Sequence, residues 1–194
     1  MTRSPRGTLT AAFGRPFLLR WRRGSEEGTV PFGILKGTFP FRIPKVTVPT
    51  SIFLIGPMGS GKTAVGRALA SRLDLPFVDS DAEIESRTGV DIAYIFEREG
   101  EEGFRIRERD VIDALTQRPA IVLATGGGAV LLPENRERLA ARGTVVFLDT
   151  TVDQQLKRTQ RSRHRPLLTG TDRRARLQEL AAVRDPLYRA IAAI

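Results

Sequence analysis

Gly56-Pro57-Met58-Gly59-Ser60-Gly61-Lys62-Thr63 satisfies the pattern G-x-x-x-x-G-K-[ST] of a phosphate-binding loop. Its flanks supply the context that this pattern requires. Residues 51–55 (Ser-Ile-Phe-Leu-Ile) are a short continuous apolar run, which predicts a strand buried on both faces of a parallel sheet. After the loop, Ala64, Val65, Ala68, Leu69 and Leu73 recur at helical spacing and predict a helix with those side chains on its inner face. Gly59 and Gly61 allow the backbone to bend and approach a phosphate closely. The amides of the loop and helix start, from Gly59 and Ser60 through Ala64, then aim partial positive charge at the anion. In such a loop Lys62 reaches the β/γ-phosphates of a nucleotide, and the Thr63 hydroxyl ligates Mg²⁺. Beyond residue 50 the chain uses arginine almost everywhere and holds only two lysines, Lys62 and Lys157, so a lysine at this position is not compositional drift.

The composition of the 194 residues bounds what else the chain can be. There is no cysteine and a single histidine, His164, so disulfide scaffolds, thiol nucleophiles and cysteine or histidine metal centres are excluded. No apolar run is long enough to predict a membrane span. The net charge of +9 is concentrated at the front: residues 1–50 hold nine Lys or Arg against two acids, whereas the remainder holds 22 against 20. A nearly neutral body argues against nucleic acid as the main partner. The first fifty residues are basic and rich in Gly and Pro, with no sustained period. They read as a poorly ordered extension ahead of a domain spanning residues 51–194. Arginine without acids before Glu26 resembles an organelle transit segment, but Ser4 and Ser25 are the only serines there. A cytoplasmic protein is therefore favoured over a plastid-targeted one, and translation from upstream of the true start is a further reading of the extension.

Three more strands follow the loop in the order expected of an open α/β sheet. Leu75-Pro76-Phe77-Val78 leads into Asp79-Ser80-Asp81, placing two carboxylates at the ligand-bearing edge of the sheet. Asp79 could hold a water on Mg²⁺, and Asp81 could accept a proton from a substrate hydroxyl. Equally, both could cap a helix over 82–88. Ile92, Ile95 and Phe96 form an apolar stripe that ends at Gly100. Phe104, Val111, Ile112 and Leu115 mark a further helix, with Glu108 on the same face. A carboxylate there needs a partner, and Arg105, three residues earlier, is one by helix geometry. The pair could aim the arginine at a small anion or be an ordinary surface ion pair. Residues 120–124 and 144–148 complete the strands. The first is followed by Gly126-Gly127-Gly128, either bare backbone for a ligand or a loose turn. The second ends at Asp149, a rival to Asp79 for the metal. Between Lys157 and Arg165 five of nine residues are basic, which suits a lid over residues 157–172 that closes on a phosphate; a solvated helix or an RNA-binding patch has the same composition. Arg184-Asp185-Pro186 reads as a helix start, with Arg184 just outside it.

Taken in order, these residues resemble the shikimate kinase family. The resemblance runs from about Ser51 to the end and rests on residues 56–63, 79–89, Ile95-Phe96, Gly103-Phe104-Arg105 with Glu108, Gly126-Gly127-Gly128, Arg165-Pro166-Leu167-Leu168, and Arg184 with Pro186-Leu187-Tyr188. It implies a three-layer α/β P-loop kinase that uses ATP and Mg²⁺ to phosphorylate the 3-hydroxyl of shikimate. It also implies roles by position. Asp81, Arg105, Gly127 and Arg184 would hold shikimate, the two arginines taking its carboxylate. Phe96 and Phe104 would wall the ring, and Asp81 would orient or deprotonate the hydroxyl. Arg165 would reach the transferring phosphate, and Arg158 would lie along the adenine. Members of the family continue into a fifth strand and an adenine-side loop. Four strands are readable here, so the expected sheet has the order 2-3-1-4 with the fourth strand at an open edge. A monomer is expected. The competing readings are a truncated, catalytically impaired nucleotide-binding protein of the same fold, a related kinase such as a gluconate kinase, and an RNA-associated protein.

Overall fold

The computed structural model describes residues 10–11, 15–16, 18–23 and 26–31 of the first fifty, and residues 51–159 and 172–194 of the remainder. The chain divides into two compact units, the larger covering Pro49–Ala192. In the first fifty residues, strands β1 (Thr10–Ala11) and β2 (Arg15–Pro16) pair antiparallel, as do β3 (Leu18–Arg23) and β4 (Glu26–Pro31). The register of the second pair sets Arg23 opposite Glu26.

The larger unit is built on a four-stranded, wholly parallel sheet of β5 (Ile52–Ile55), β6 (Phe77–Asp79), β7 (Val122–Ala124) and β8 (Thr144–Phe147). Its order is β6-β7-β5-β8, which is the second, third, first and fourth strands of this unit in sequence. Side chains alternate across the sheet. Phe53, Ile55, Leu123 and Val145 join one core with Ile84, Ile95, Phe104, Ile112, Leu115, Leu139 and Tyr188. Those residues come from helices α2 (Ser80–Thr88), α3 (Ile92–Thr116), α4 (Pro133–Arg142) and α6 (Arg173–Ile191), all on that face.

Leu54 points the other way, toward α1 (Lys62–Leu73). The buried face of α1 is not the one expected: Ala64, Ala68 and Leu73 are exposed, and the residues against the sheet are Gly66 and Ala70, with Val65 and Leu69 half-buried. The reason is proximity. A Cβ on Gly66 would stand 3.1 Å from Leu54 Cδ1 and closer still to the Phe77 ring. A helix packed this tightly selects its smallest side chains for the contact.

Two further elements bear on the site. Gly100 interrupts α3 at φ 71° and ψ −175°, a left-handed φ that glycine adopts without penalty. Pro186 does not begin a helix: α6 runs unbroken from Arg173 to Ile191 and is capped by Asp172, whose Oδ1 accepts from Arg174 N at 2.9 Å. Leu177, Arg184 and Tyr188 share one buried stripe. Burying that stripe outweighs the single backbone hydrogen bond that proline forfeits, which falls where Ala182 and Pro186 are both exposed. None of the described helices is long and apolar enough to cross a membrane.

Candidate active site

The site forms where β5, β6 and β7 end. Gly56 (φ 141°), Gly59 (φ 75°) and Gly61 (φ 99°) are the conformational pivots of the phosphate loop. A Cβ on Gly56 would lie 2.6 Å from Leu148 O, so its glycine is required by close approach as well as by φ. Lys62 Nζ donates to Gly56 O at 2.7 Å and Pro57 O at 2.9 Å, lying back along the loop that it serves. Arg158, on α5 (Val152–Thr159), donates from Nη1 to Gly59 O at 2.8 Å and Ser60 O at 3.3 Å, so it braces the loop backbone from outside. Arg165 and His164 lie outside the described residues, as does most of the expected lid.

Asp79 caps a helix, as its position suggested, and also meets Thr63. One oxygen, Oδ1, accepts from Asp81 N at 3.1 Å and caps α2, which begins at Ser80, two residues earlier than expected. The other, Oδ2, accepts from the Thr63 hydroxyl at 2.8 Å. Its rival Asp149 is exposed and pairs with Arg189 at 3.1 Å, while Thr151 caps α5 through a 3.3 Å bond from Gln154 N.

Asp81, Arg105, Glu108 and Gly126 form a second, tighter cluster. Glu108 is fully buried and receives Arg105 Nη1 at 2.6 Å; it is no surface ion pair. Burial raises the Glu108 carboxyl above the ordinary carboxylate range, and Arg105 opposes that rise. Burial pulls Arg105 down, but Glu108 and Glu101 together hold it above its ordinary value. Asp81 is half-buried, with its Oδ1 sealed from solvent. Burial, then Glu108, then Asp79 push its carboxyl up to about 7, against the pull of Lys62 and Arg105.

The buried oxygens Asp81 Oδ1 and Glu108 Oε1 have no hydrogen-bond partner and converge on the α-carbon of Gly126. A Cβ there would stand 2.7 Å from each. Ser80 fixes that glycine, accepting from Gly126 N at 2.9 Å. Gly128 is flat against the Arg105 guanidinium, which leaves no room for a Cβ. The glycines are therefore close-packed surfaces and not a loose turn. Breaking the buried pair leaves Arg105 as a buried cation with only its outer partner. Glu108→Ala is expected to destabilise the fold by about 3–5 kcal/mol in chemical denaturation.

Arg184 closes the pocket from α6. It is buried, its Nη1 donates to Gly127 O at 3.3 Å, and its Nε has no partner. Arg105 and Arg184 thus lie on consecutive glycines, and Gly127 in turn lies on the phosphate loop, its missing Cβ 3.4 Å from Met58 N. Phe96 and Phe104 pack in a tilted pair, 4.8 Å between centroids and 36° between planes, and Arg105 lies 5.2 Å above the Phe104 ring.

Three participants went unforeseen. Glu101, exposed and one residue past the Gly100 break, takes Arg105 Nε at 3.2 Å and Nη2 at 2.7 Å. Its i,i+4 spacing from Arg105 was the available signal. Tyr188 donates its hydroxyl to Gly127 O, and Ser80 holds Gly126; neither contact leaves a local trace in sequence.

A family model for shikimate kinase matches residues 58–194. A shikimate kinase of Halorhodospira halophila is 60% identical over 144 residues, covering 74% of this chain and 81% of the relative. One from Shewanella woodyi is 59% identical over 142 residues, 73% of this chain and 83% of the relative. Among solved structures, shikimate kinase from Acinetobacter baumannii in complex with shikimate aligns at 55% identity with a TM-score of 0.73, covering 74% of this chain and 80% of that one. The Aquifex aeolicus enzyme aligns at 37% identity and a TM-score of 0.64, covering 73% of this chain and 83% of its own. A phosphate loop beside two arginines on a glycine turn, in a chain this similar to those proteins, places it in the shikimate kinase family.

Proposed function

We propose that this protein transfers the γ-phosphoryl group of ATP to the 3-hydroxyl of shikimate, giving shikimate 3-phosphate and ADP. The observation that carries this reading is the placement of two buried arginines, Arg105 and Arg184, on adjacent glycines beside the phosphate loop. Buried guanidinium groups with donors to spare suit a planar carboxylate. Arg105 gives Nε and Nη2 to Glu101, and a substrate carboxylate would take over those donors from that exposed side chain. Phe96 and Phe104 offer an apolar wall to the ring, with Gly127 beneath it. The hydroxyl to be phosphorylated would face Asp81, whose carboxylate accepts its proton as the bond to phosphorus forms.

Lys62 would turn from the carbonyls of Gly56 and Pro57 to the β/γ-phosphates and offset the charge that builds there. The amides of Gly59, Ser60, Gly61, Thr63 and Ala64 would hold the remaining phosphate oxygens, with Arg158 bracing the loop. Arg165 is assigned to the transferring phosphate on family resemblance alone. The Thr63 hydroxyl and Asp79 carboxylate, 2.8 Å apart at the loop mouth, are a hard oxygen pair suited to Mg²⁺, Asp79 acting through water. Bound there with ATP, the ion would neutralise phosphate charge. A monomer working in the cytoplasm completes the proposal.

The direct test is ADP release coupled to a spectroscopic readout, with ATP, Mg²⁺ and shikimate. Shikimate-dependent turnover is expected. Folded protein that is stabilised by ATP but releases no ADP would instead support the catalytically impaired nucleotide-binding protein. Arg105→Ala is expected to raise KM for shikimate by roughly 10²-fold, because it removes one partner of a charged contact. An unchanged KM would remove the carboxylate assignment.

A further inference from the structure

Tyr188 is fully buried on α6, one turn beyond Arg184, and its ring stacks on Phe147 of β8 with centroids 5.1 Å apart. A phenylalanine would serve that packing as well. The hydroxyl is what distinguishes it, and the hydroxyl donates to Gly127 O, the same oxygen that Arg184 Nη1 reaches at 3.3 Å. Burial holds the phenol well above its ordinary range against the pull of Arg184, so the group keeps its proton and remains a donor.

The α-carbon of Gly127 lies on the phosphate loop, with its missing Cβ 3.4 Å from Met58 N and 3.6 Å from Gly56 O. The Gly127 peptide is therefore clamped between the loop and α6. Arg184 is anchored on the clamped carbonyl while its own Nε stays buried without a partner.

We propose that Tyr188 is a positioning residue for the carboxylate subsite: its hydroxyl fixes the Gly127 carbonyl, and that carbonyl sets the Arg184 guanidinium for the ligand's carboxylate. The inference rests on the shikimate reading above. It assigns work to a hydroxyl that the transfer of phosphate does not itself use. A carbonyl oxygen has two lone pairs and can serve both donors at once. Without the phenol, the peptide loses one of the two groups that hold it, and the arginine docks on a less constrained acceptor. Carboxylate recognition by a guanidinium depends on its direction, so loss of the anchor appears in substrate affinity.

The test compares the wild-type chain with Tyr188→Phe, Arg184→Lys and the double variant. Each is measured for KM of shikimate, KM of ATP, kcat and melting temperature. Tyr188→Phe is expected to raise KM for shikimate about tenfold, because a less constrained Arg184 meets the carboxylate out of line. Its kcat is expected to stay within about twofold and KM for ATP to be little changed, while the melting temperature falls by a few degrees with the lost buried hydrogen bond. The double variant is expected to match Arg184→Lys alone in KM for shikimate, because a residue acting through Arg184 adds nothing once that arginine is replaced. Equal rises in both KM values would overturn the proposal and make Tyr188 a support of the phosphate loop. Additive effects in the double variant would overturn its action through Arg184. An unchanged Tyr188→Phe would reduce the residue to packing. Absence of shikimate-dependent ADP release from the wild type would overturn this proposal together with the reading beneath it, which separates the two failures.

Discussion

Asp81→Asn is expected to lower kcat by about 10²–10⁴-fold, the usual worth of a positioned general base, while ATP affinity stays close to that of the wild type. Asparagine keeps the shape of the carboxylate and its neighbours but cannot take a proton from the substrate hydroxyl. The Asp81 carboxyl is also the group that burial, Glu108 and Asp79 push up to about 7. Only the ionised form accepts a proton. The wild-type kcat/KM for shikimate should therefore rise tenfold per pH unit below about 7 and level above it. In Asp81→Asn that limb should be gone from the residual activity. A wild-type profile flat from pH 5.5 to 8 would contradict Asp81 as the base.

The same displacement has a sign in stability. Unfolded, Asp81 titrates at the ordinary value of 3.8, and folded it holds its proton up to about 7. Between those values the native state binds more proton than the unfolded state, so stability is full below about pH 4, declines as pH rises through that window, and is flat above it. An amide does not titrate. Thermal melts from pH 4 to 8 should therefore show wild type losing ground to Asp81→Asn as pH rises. A desolvated base beside two other carboxylates is a stability cost carried for function.

What the sequence revealed and what it hid divide along the range of the interaction. The phosphate loop, the Thr63–Asp79 neighbourhood and the Arg105–Glu108 pair depend on local spacing or on strand ends meeting at one edge, so residue types in order were enough to find them. Spacing alone, however, could not separate a buried Arg105–Glu108 pair from a surface one, because burial is set by α6 and the glycine turn. Gly126 looked like one of three equivalent glycines. Its particular duty arises from Asp81 and Glu108, far apart in the chain, meeting at its α-carbon. The α1 face was misjudged because hydrophobicity favoured Leu73, whereas contact with Phe77 and Leu54 selects Gly66 and Ala70. Pro186 obeyed the local rule for a helix start until burial of Leu177, Arg184 and Tyr188 on one stripe overruled it.

Lys62→Ala is expected to reduce kcat by about 10²–10³-fold or more, with a rise in KM for ATP. Two losses combine. Nζ spans Gly56 O and Pro57 O at 2.7 and 2.9 Å, so it organises the loop backbone. Once ATP binds, the same cation would reach the β/γ-phosphates, and the charge that it offsets grows as the phosphoryl group departs. Lys62→Arg distinguishes these contributions. It keeps the charge, but its rigid fork cannot sit as a point charge between two carbonyls on so tight a turn. If charge alone mattered, Lys62→Arg would restore most of kcat. If loop geometry matters too, it should remain at least tenfold below wild type while binding ATP better than Lys62→Ala. Turnover of Lys62→Ala within threefold of wild type would leave the phosphate loop without its catalytic cation, and with it the assignment of this edge of the sheet to phosphoryl transfer.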